Sequence, residues 1–280
     1  MTSHLEEADK ILKSQPKHEA ALAITGIAHL KKGEADKALA SFKRAQQVNP
    51  ENPEPLIDIG TVYVLQKKCS EAIMEYEEAL KLAPDRIDAL GSLAQLYLVQ
   101  GNEKAAIERT QRQLQKTKRQ ADVYQLLGQL SLRIKEYPKA IEYLQKAINL
   151  NPGLTSAYYL IGNTYAAQNE FDAAVNEYKT VIEKNPKAIP AYMMLGIIND
   201  LQKQPSKANE YYQKVLALNK NFPLAANNLA WNYAEHGGDL YIALNLAQKH
   251  GRLIPTAQAL RTLSAGSTTR RRYTLLLLVY

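Results

Sequence analysis

A chain of 280 residues with 46% hydrophobic content is long enough for two compact domains or for one repeat array, and its single cysteine, Cys69, rules out an intrachain disulfide and a cysteine-built zinc site. The net charge of +7 is mostly terminal: residues 251–280 carry Arg252, Arg261, Arg270, Arg271 and Arg272 with no Asp or Glu, which leaves the first 250 residues near +2. A body so balanced lacks the basic stripe that nucleic-acid binding requires. No stretch reaches the length of a membrane span or a secretory signal, so neither nucleic acid as a partner nor direct membrane insertion is expected.

Along the chain, the opening MTSHLEEADKILKSQP is polar and helix-like, and it matches only the second helix of a unit that closes at Pro16. From residue 19 the sequence repeats at a shift of 34. Pro16, Pro50, Pro84, Pro152 and Pro186 fall on one series, with Lys118 and Lys220 in the vacant slots. Gly26, Gly60, Gly128, Gly162 and Gly196 form a second, completed by Ala94 and Ala230. Ala38, Ala72, Ala106, Ala140, Ala174 and Ala208 form a third, and Ala243 follows one residue late after the insertion at Gly237 and Gly238. Independent columns sharing one period mark a repeat architecture.

Each unit reads as two amphipathic helices. In the unit beginning near 155 the pattern predicts a first helix from about Leu154 to Gln168 and a second from about Phe171 to Lys184. Gly162 and Ala174 are expected where the two backbones approach closely, and Asn185-Pro186 ends the second helix, because a residue before proline is driven out of the α region. Lys32-Gly33, Gln100-Gly101-Asn102 and Gln168-Asn169 supply turns inside units. Six full units begin near 19, 53, 87, 121, 155 and 189, and a seventh from about Leu224 has Leu240 to Lys249 as its second helix. The third departs most, with Thr110 and Gln113 in place of the usual aromatic and small residues and Lys118 in place of proline, so its packing is expected to be the weakest.

These columns resemble the tetratricopeptide repeat, with its small-residue, aromatic, alanine and terminal proline signature. The resemblance implies an all-α, right-handed superhelical solenoid of stacked antiparallel helix pairs. It divides the chain into a partial repeat over 1–18, a solenoid of about seven repeats over 19–254 and an atypical basic tail over 255–280. The segment NNLAWNYAEHGGDL is similar, more loosely, to bacterial repeat proteins of exopolysaccharide and PEP-CTERM protein-sorting systems.

After Pro255 the period stops. Joining the last base of each codon to the first two of the next lets residues 255–274 decode, under permitted synonymous codons, as the first helix of a further repeat. Its glycine then falls at the junction of Ser264 and Ala265, where the period demands one. The tail is therefore read as a frameshifted continuation of an eighth repeat, against the alternative of a native basic tail.

Catalytic constellations are missing from the sequence. His4, His18, His29, His236 and His250 are scattered, and none stands at metal spacing to a carboxylate or to Cys69. His29 occupies a column of tyrosines and reads as a packing residue. No phosphate-binding glycine loop or nucleophile elbow occurs. The expectation is a protein that is not an enzyme, takes no cofactor and binds no metal.

The family's geometry places the first helices on the concave surface, so their exposed stripe is the expected partner site. One column holds Thr61, Gln95, Gln129, Asn163, Ile197 and Trp231; the column four residues earlier holds Gln125, Tyr159, Met193 and Asn227. Amides in the middle suit the backbone of an extended peptide, and Met193, Ile197 and Trp231 suit an apolar anchor. Neither column contains the lysines with which related repeats clamp a terminal carboxylate. The function expected is a non-catalytic scaffold holding a peptide or partner protein; the alternative is a non-catalytic fragment of a larger enzyme or regulator. Uncapped ends predict self-association. The chain as written is expected to be cytoplasmic, or periplasmic or membrane-tethered as part of a longer protein.

Overall fold

The computed structural model describes residues 2–236, and every regular element among them is an α-helix. The chain divides after Glu136 into two compact units. The first contains α1 (Thr2–Ser14), α2 (Glu19–Lys31), α3 (Ala35–Val48), α4 (Glu54–Leu65), α5 (Cys69–Leu82), α6 (Ile87–Val99), α7 (Glu103–Gln113) and α8 (Gln120–Arg133). The second contains α9 (Tyr137–Leu150), α10 (Thr155–Ala167), α11 (Phe171–Lys184), α12 (Ile189–Leu201), α13 (Pro205–Leu218) and α14 (Pro223–Glu235). Within each unit the helices pack chiefly on their neighbours in sequence, as in a helical solenoid. The expected second helix at Leu240 to Lys249 and the tail from 255 lie outside the described residues.

The turns inside repeats share one backbone device. Gly33, Lys67, Gly101, Lys135, Asn169 and Lys203 all have positive φ, from 58° to 77°. In each, the following N–H donates to a carbonyl in the last turn of the first helix: Glu34 to His29, Lys68 to Tyr63, Asn102 to Tyr97, Glu136 to Ser131, Glu170 to Tyr165 and Gln204 to Asn199, at 2.8 to 2.9 Å. This is the Schellman cap, which satisfies carbonyls the helix leaves unpaired. Lysine occupies the left-handed slot in three of the six turns, at a cost glycine does not bear.

The turns between repeats are extended. Asn49, Ala83 and Asn185, each before a proline, have φ from −140° to −136° and ψ from 86° to 90°. Asn219 precedes Lys220 yet adopts φ −141° and ψ 97°. There the Asn219 carboxamide oxygen accepts from the Asn221 N–H at 3.0 Å, a side-chain turn that holds the exit without proline.

Four of the five glycines in the glycine column prove to seat an aromatic ring. A Cβ on Gly26 would lie 2.4 Å from Phe42 Cε1, on Gly60 2.7 Å from Tyr76 Cε1, on Gly162 2.8 Å from Tyr178 Cε1 and on Gly196 2.4 Å from Tyr212 Cε1. Gly162 and Ala174 were expected at the close approach of the two backbones, and what a Cβ on Gly162 would meet first is the ring sixteen residues on. Where Thr110 replaces the ring, Ala94 replaces the glycine. The alanine column Ala38, Ala72, Ala106, Ala140, Ala174 and Ala208 is 0% exposed throughout.

The third repeat replaces apolar packing with hydrogen bonds. Arg109, 6% exposed, grips the Glu77 carboxylate with Nε at 2.6 Å and Nη2 at 2.9 Å. Its Nη1 donates to Gln113 Oε1 at 3.0 Å, and Gln113 Nε2 donates to the Pro84 carbonyl at 2.6 Å. Thr110 Oγ1 donates to the Ala106 carbonyl at 2.8 Å. Asp85 Oδ1 accepts from Thr117 Oγ1 and from the Lys118 N–H at 2.9 Å, and these bonds hold its carboxyl below the usual range. The hairpin of α6 and α7 is also the most sparsely packed in its unit that pairs a first with a second helix, as expected from its departures.

Three outcomes test this account by urea unfolding. Gly162→Ala should destabilise by about 1–3 kcal/mol through overpacking, despite alanine's better helix propensity, and Tyr178→Leu in the same chain should recover at least about 1 kcal/mol of that loss. Lys67→Gly, Lys135→Gly and Lys203→Gly should each stabilise by about 0.5–1 kcal/mol, additively, whereas Lys32→Gly, at φ −86°, should not. Glu77→Ala should cost about 3 kcal/mol by stranding a buried guanidinium, and adding Arg109→Met should restore most of it.

Candidate functional site

The predicted partner residues sit on first helices, in two register positions. In the first unit Thr61 is exposed on α4, and its hydroxyl donates to the Ile57 carbonyl at 2.9 Å while lying 3.3 Å from the Tyr76 hydroxyl. Gln95 on α6 is half-buried and accepts from the Arg133 guanidinium. On α8, Gln125 is half-buried and Gln129 is exposed.

In the second unit Tyr159 on α10 is half-buried, its ring centroid 5.5 Å from that of Tyr178. Asn163 Oδ1 accepts from the Tyr178 hydroxyl at 2.6 Å. Asn227 and Trp231 on α14 are half-buried. Met193 and Ile197 on α12 are core residues, 2% and 0% exposed, so they offer no open apolar anchor. The reason is local: α12 is largely apolar around its circumference, and every residue from Met193 to Asn199 is buried, with Met193, Met194, Leu195, Ile197 and Ile198 in a cluster with Tyr178, Val181, Tyr212, Val215 and Leu229. A helix apolar on all sides is a buried one.

The link between core rings and the first-helix surface is what column reading missed. Tyr76 and Tyr178 lie on the glycines of their partner helices, and their hydroxyls emerge beside Thr61 and Asn163. Burial, with the neighbouring Tyr159, pushes the Tyr178 hydroxyl well above the usual tyrosine range, so it stays protonated and donates. Tyr212 departs from the pattern: its hydroxyl donates to Asp200 Oδ2 at 2.6 Å and accepts from Asn228 Nδ2 at 3.2 Å, while Asn232 Nδ2 donates to Asp200 Oδ1 at 2.6 Å. The signal was available as a tyrosine fifteen residues after Thr61 and after Asn163.

A second omission is Asp58 on α4, whose carboxyl is pushed up to about 6, first by burial and then by Glu54, with Arg86 opposing both. A carboxylate favoured in its neutral form by the fold destabilises the protein above that value and relieves it as the pH falls from about 6 toward 4. Arg86 does not pair with it. The Arg86 guanidinium bonds to Glu54 and, at 2.5 Å, to Asp88.

His29 packs in the tyrosine column and also meets Glu34 through Nδ1 at 2.6 Å, a bond that, with Lys37, lowers the Glu34 carboxyl. His18 Nδ1 caps α2 by accepting from the Ala21 N–H at 3.2 Å. Cys69 is a half-buried free thiol at the start of α5. Among the described residues no group of three or more His, Cys, Asp or Glu is placed to hold a metal ion, and no helix is long and apolar enough to cross a membrane.

Comparison with known proteins converges on the same repeat. Family models described as tetratricopeptide repeat match residues 5–53, 63–130, 134–196 and 189–222. No curated protein matches the chain. Among solved structures, the C-terminal part of a TPR repeat-containing protein from Cytophaga hutchinsonii is 21% identical, with 80% of this chain and 93% of that one covered at a TM-score of 0.54. A tetratricopeptide repeat protein from Parabacteroides merdae is 17% identical, with 92% and 98% covered, also at 0.54. MamA is 30% identical over 58% of this chain and 95% of its own, at a TM-score of 0.47. The 34-residue columns, the capped hairpins that realise them and the family matches along their length together place this chain in the tetratricopeptide repeat family.

Proposed function

We propose that the chain is a non-catalytic scaffold that holds a peptide or partner protein on the exposed faces of its first helices. The observation that carries this reading is the division of labour between the two helices of each repeat. Second-helix rings are spent on the core, with Phe42, Tyr76, Tyr178 and Tyr212 no more than 2% exposed. First helices keep Thr61, Gln95, Gln125, Gln129, Tyr159, Asn163, Asn227 and Trp231 partly or fully accessible. Amides that both donate and accept, with flanking aromatics, match the backbone and side chains of an extended ligand. Trp231 is the proposed anchor, since tryptophan is enriched among residues that dominate binding energy.

The test is capture from lysate by the immobilised full chain, compared with a Gln129→Ala, Trp231→Ala variant. The expected result is a specific partner retained by the parent and lost by the variant, with helicity and melting temperature little changed. Equal recovery by both proteins would remove these residues from the site.

A further inference from the structure

The first helices of the first two repeats present an open apolar face with a carboxylate set into it. Ile24 and Ile27 of α2 are each 42% exposed, and Val64 and Leu65 at the end of α4 are 39% and 61% exposed. Ile24 and Asp58 hold the same register position in successive repeats, as do Ile27 and Thr61. Exposed aliphatics gathered on the same face of successive first helices are unusual on a free surface and mark a place for a partner.

Charge around Asp58 is unbalanced. Three carboxylates, those of Glu54, Asp58 and Asp88, surround the single guanidinium of Arg86, and Arg86 spends its hydrogen bonds on Glu54 and Asp88. Asp58 itself has no hydrogen bond or ion pair among the described residues; Arg86 reaches it only through space, and Glu54 repels it. A half-buried carboxylate without a bonded cation is held in an unfavourable state that an arriving cation relieves.

Resting on the scaffold reading above, we propose that this face binds a segment of a partner protein in which a lysine or arginine stands beside aliphatic side chains, with the cation on Asp58 and the aliphatics on Ile24 and Ile27. The chemistry follows from the two halves of the face: aliphatic contact supplies burial, and the carboxylate selects the sign of the charge.

Fluorescence anisotropy with the full chain tests it, using three labelled nonapeptides of identical leucine content that carry lysine, glutamine or glutamate at the same two positions. The lysine peptide should bind about tenfold more tightly than the glutamine peptide, and the glutamate peptide more weakly still. Asp58→Asn should erase the preference for lysine over glutamine, while Ile27→Ser should weaken both. Asp58→Asn should melt no lower than the parent at pH 7.5, since it removes an unpaired half-buried charge, so lost preference cannot be ascribed to unfolding. Equal binding of the lysine and glutamine peptides, or a preference that survives Asp58→Asn, overturns the proposal; if that binding is still lost in the Trp231→Ala variant, the scaffold reading stands. A dimer in sedimentation that Ile27→Ser dissolves would give the face to a second copy and would also overturn it. Failure of every peptide to bind, together with no partner recovered from lysate, removes both readings.

Discussion

An aromatic ring pressed on a helix backbone without side chain sets the geometry on which the repeats depend. The contacts between Gly26 and Phe42, Gly60 and Tyr76, Gly162 and Tyr178, and Gly196 and Tyr212 leave no room for a single methyl group. Each fixes how closely the second helix approaches the first, and the fully buried alanines beside it let the backbones come together. The ring also spans the hairpin. In Tyr76 and Tyr178 the ring fills the core while the hydroxyl reaches the first-helix surface, so Thr61 and Asn163 are contacted by the same residues that hold the helices together. Packing and the placement of first-helix surface groups are thus one device.

Where Thr110 stands in place of the ring, polar groups take over. The third repeat, with Ala94 and Thr110 in place of glycine and ring, relies on the chain from Glu77 through Arg109 and Gln113 to the Pro84 carbonyl. Such a network is geometrically demanding, because each buried member must keep its partner, whereas an apolar contact tolerates small shifts. The Tyr212, Asp200, Asn228 and Asn232 cluster has the same character at the other end of the described chain.

Much of the fold was legible because solenoid contacts are short in sequence. The helix expected from about Leu154 to Gln168 is Thr155–Ala167, and the one expected from Phe171 to Lys184 has those bounds. Proline at the repeat boundary announced the extended exits. Less visible were the turns at Lys67, Lys135 and Lys203, because lysine gives no hint of a positive φ; only the register shared with Gly33 and Gly101 does so. The candidate site was legible in part. Columns found the accessible amides, but they could not show that α12 is enclosed on all sides, since Met193 and Ile197 occupy positions that are open in other repeats. Nor could they show Asp58, whose character comes from its burial and from Glu54 and Arg86 rather than from its own column.

The left-handed turns alternate along the chain: glycine or asparagine at 33, 101 and 169, lysine at 67, 135 and 203. A second feature keeps the same rhythm, for Leu82, Leu150 and Leu218, the last residues of α5, α9 and α13, are exposed at 40%, 52% and 40%. At its surface, therefore, the array repeats in pairs of hairpins rather than single ones. Shortening or lengthening it by one hairpin would place two lysine turns, or two glycine or asparagine turns, side by side and break the alternation, whereas excising or adding two would preserve it. The interchangeable module for recombining this protein is the double hairpin.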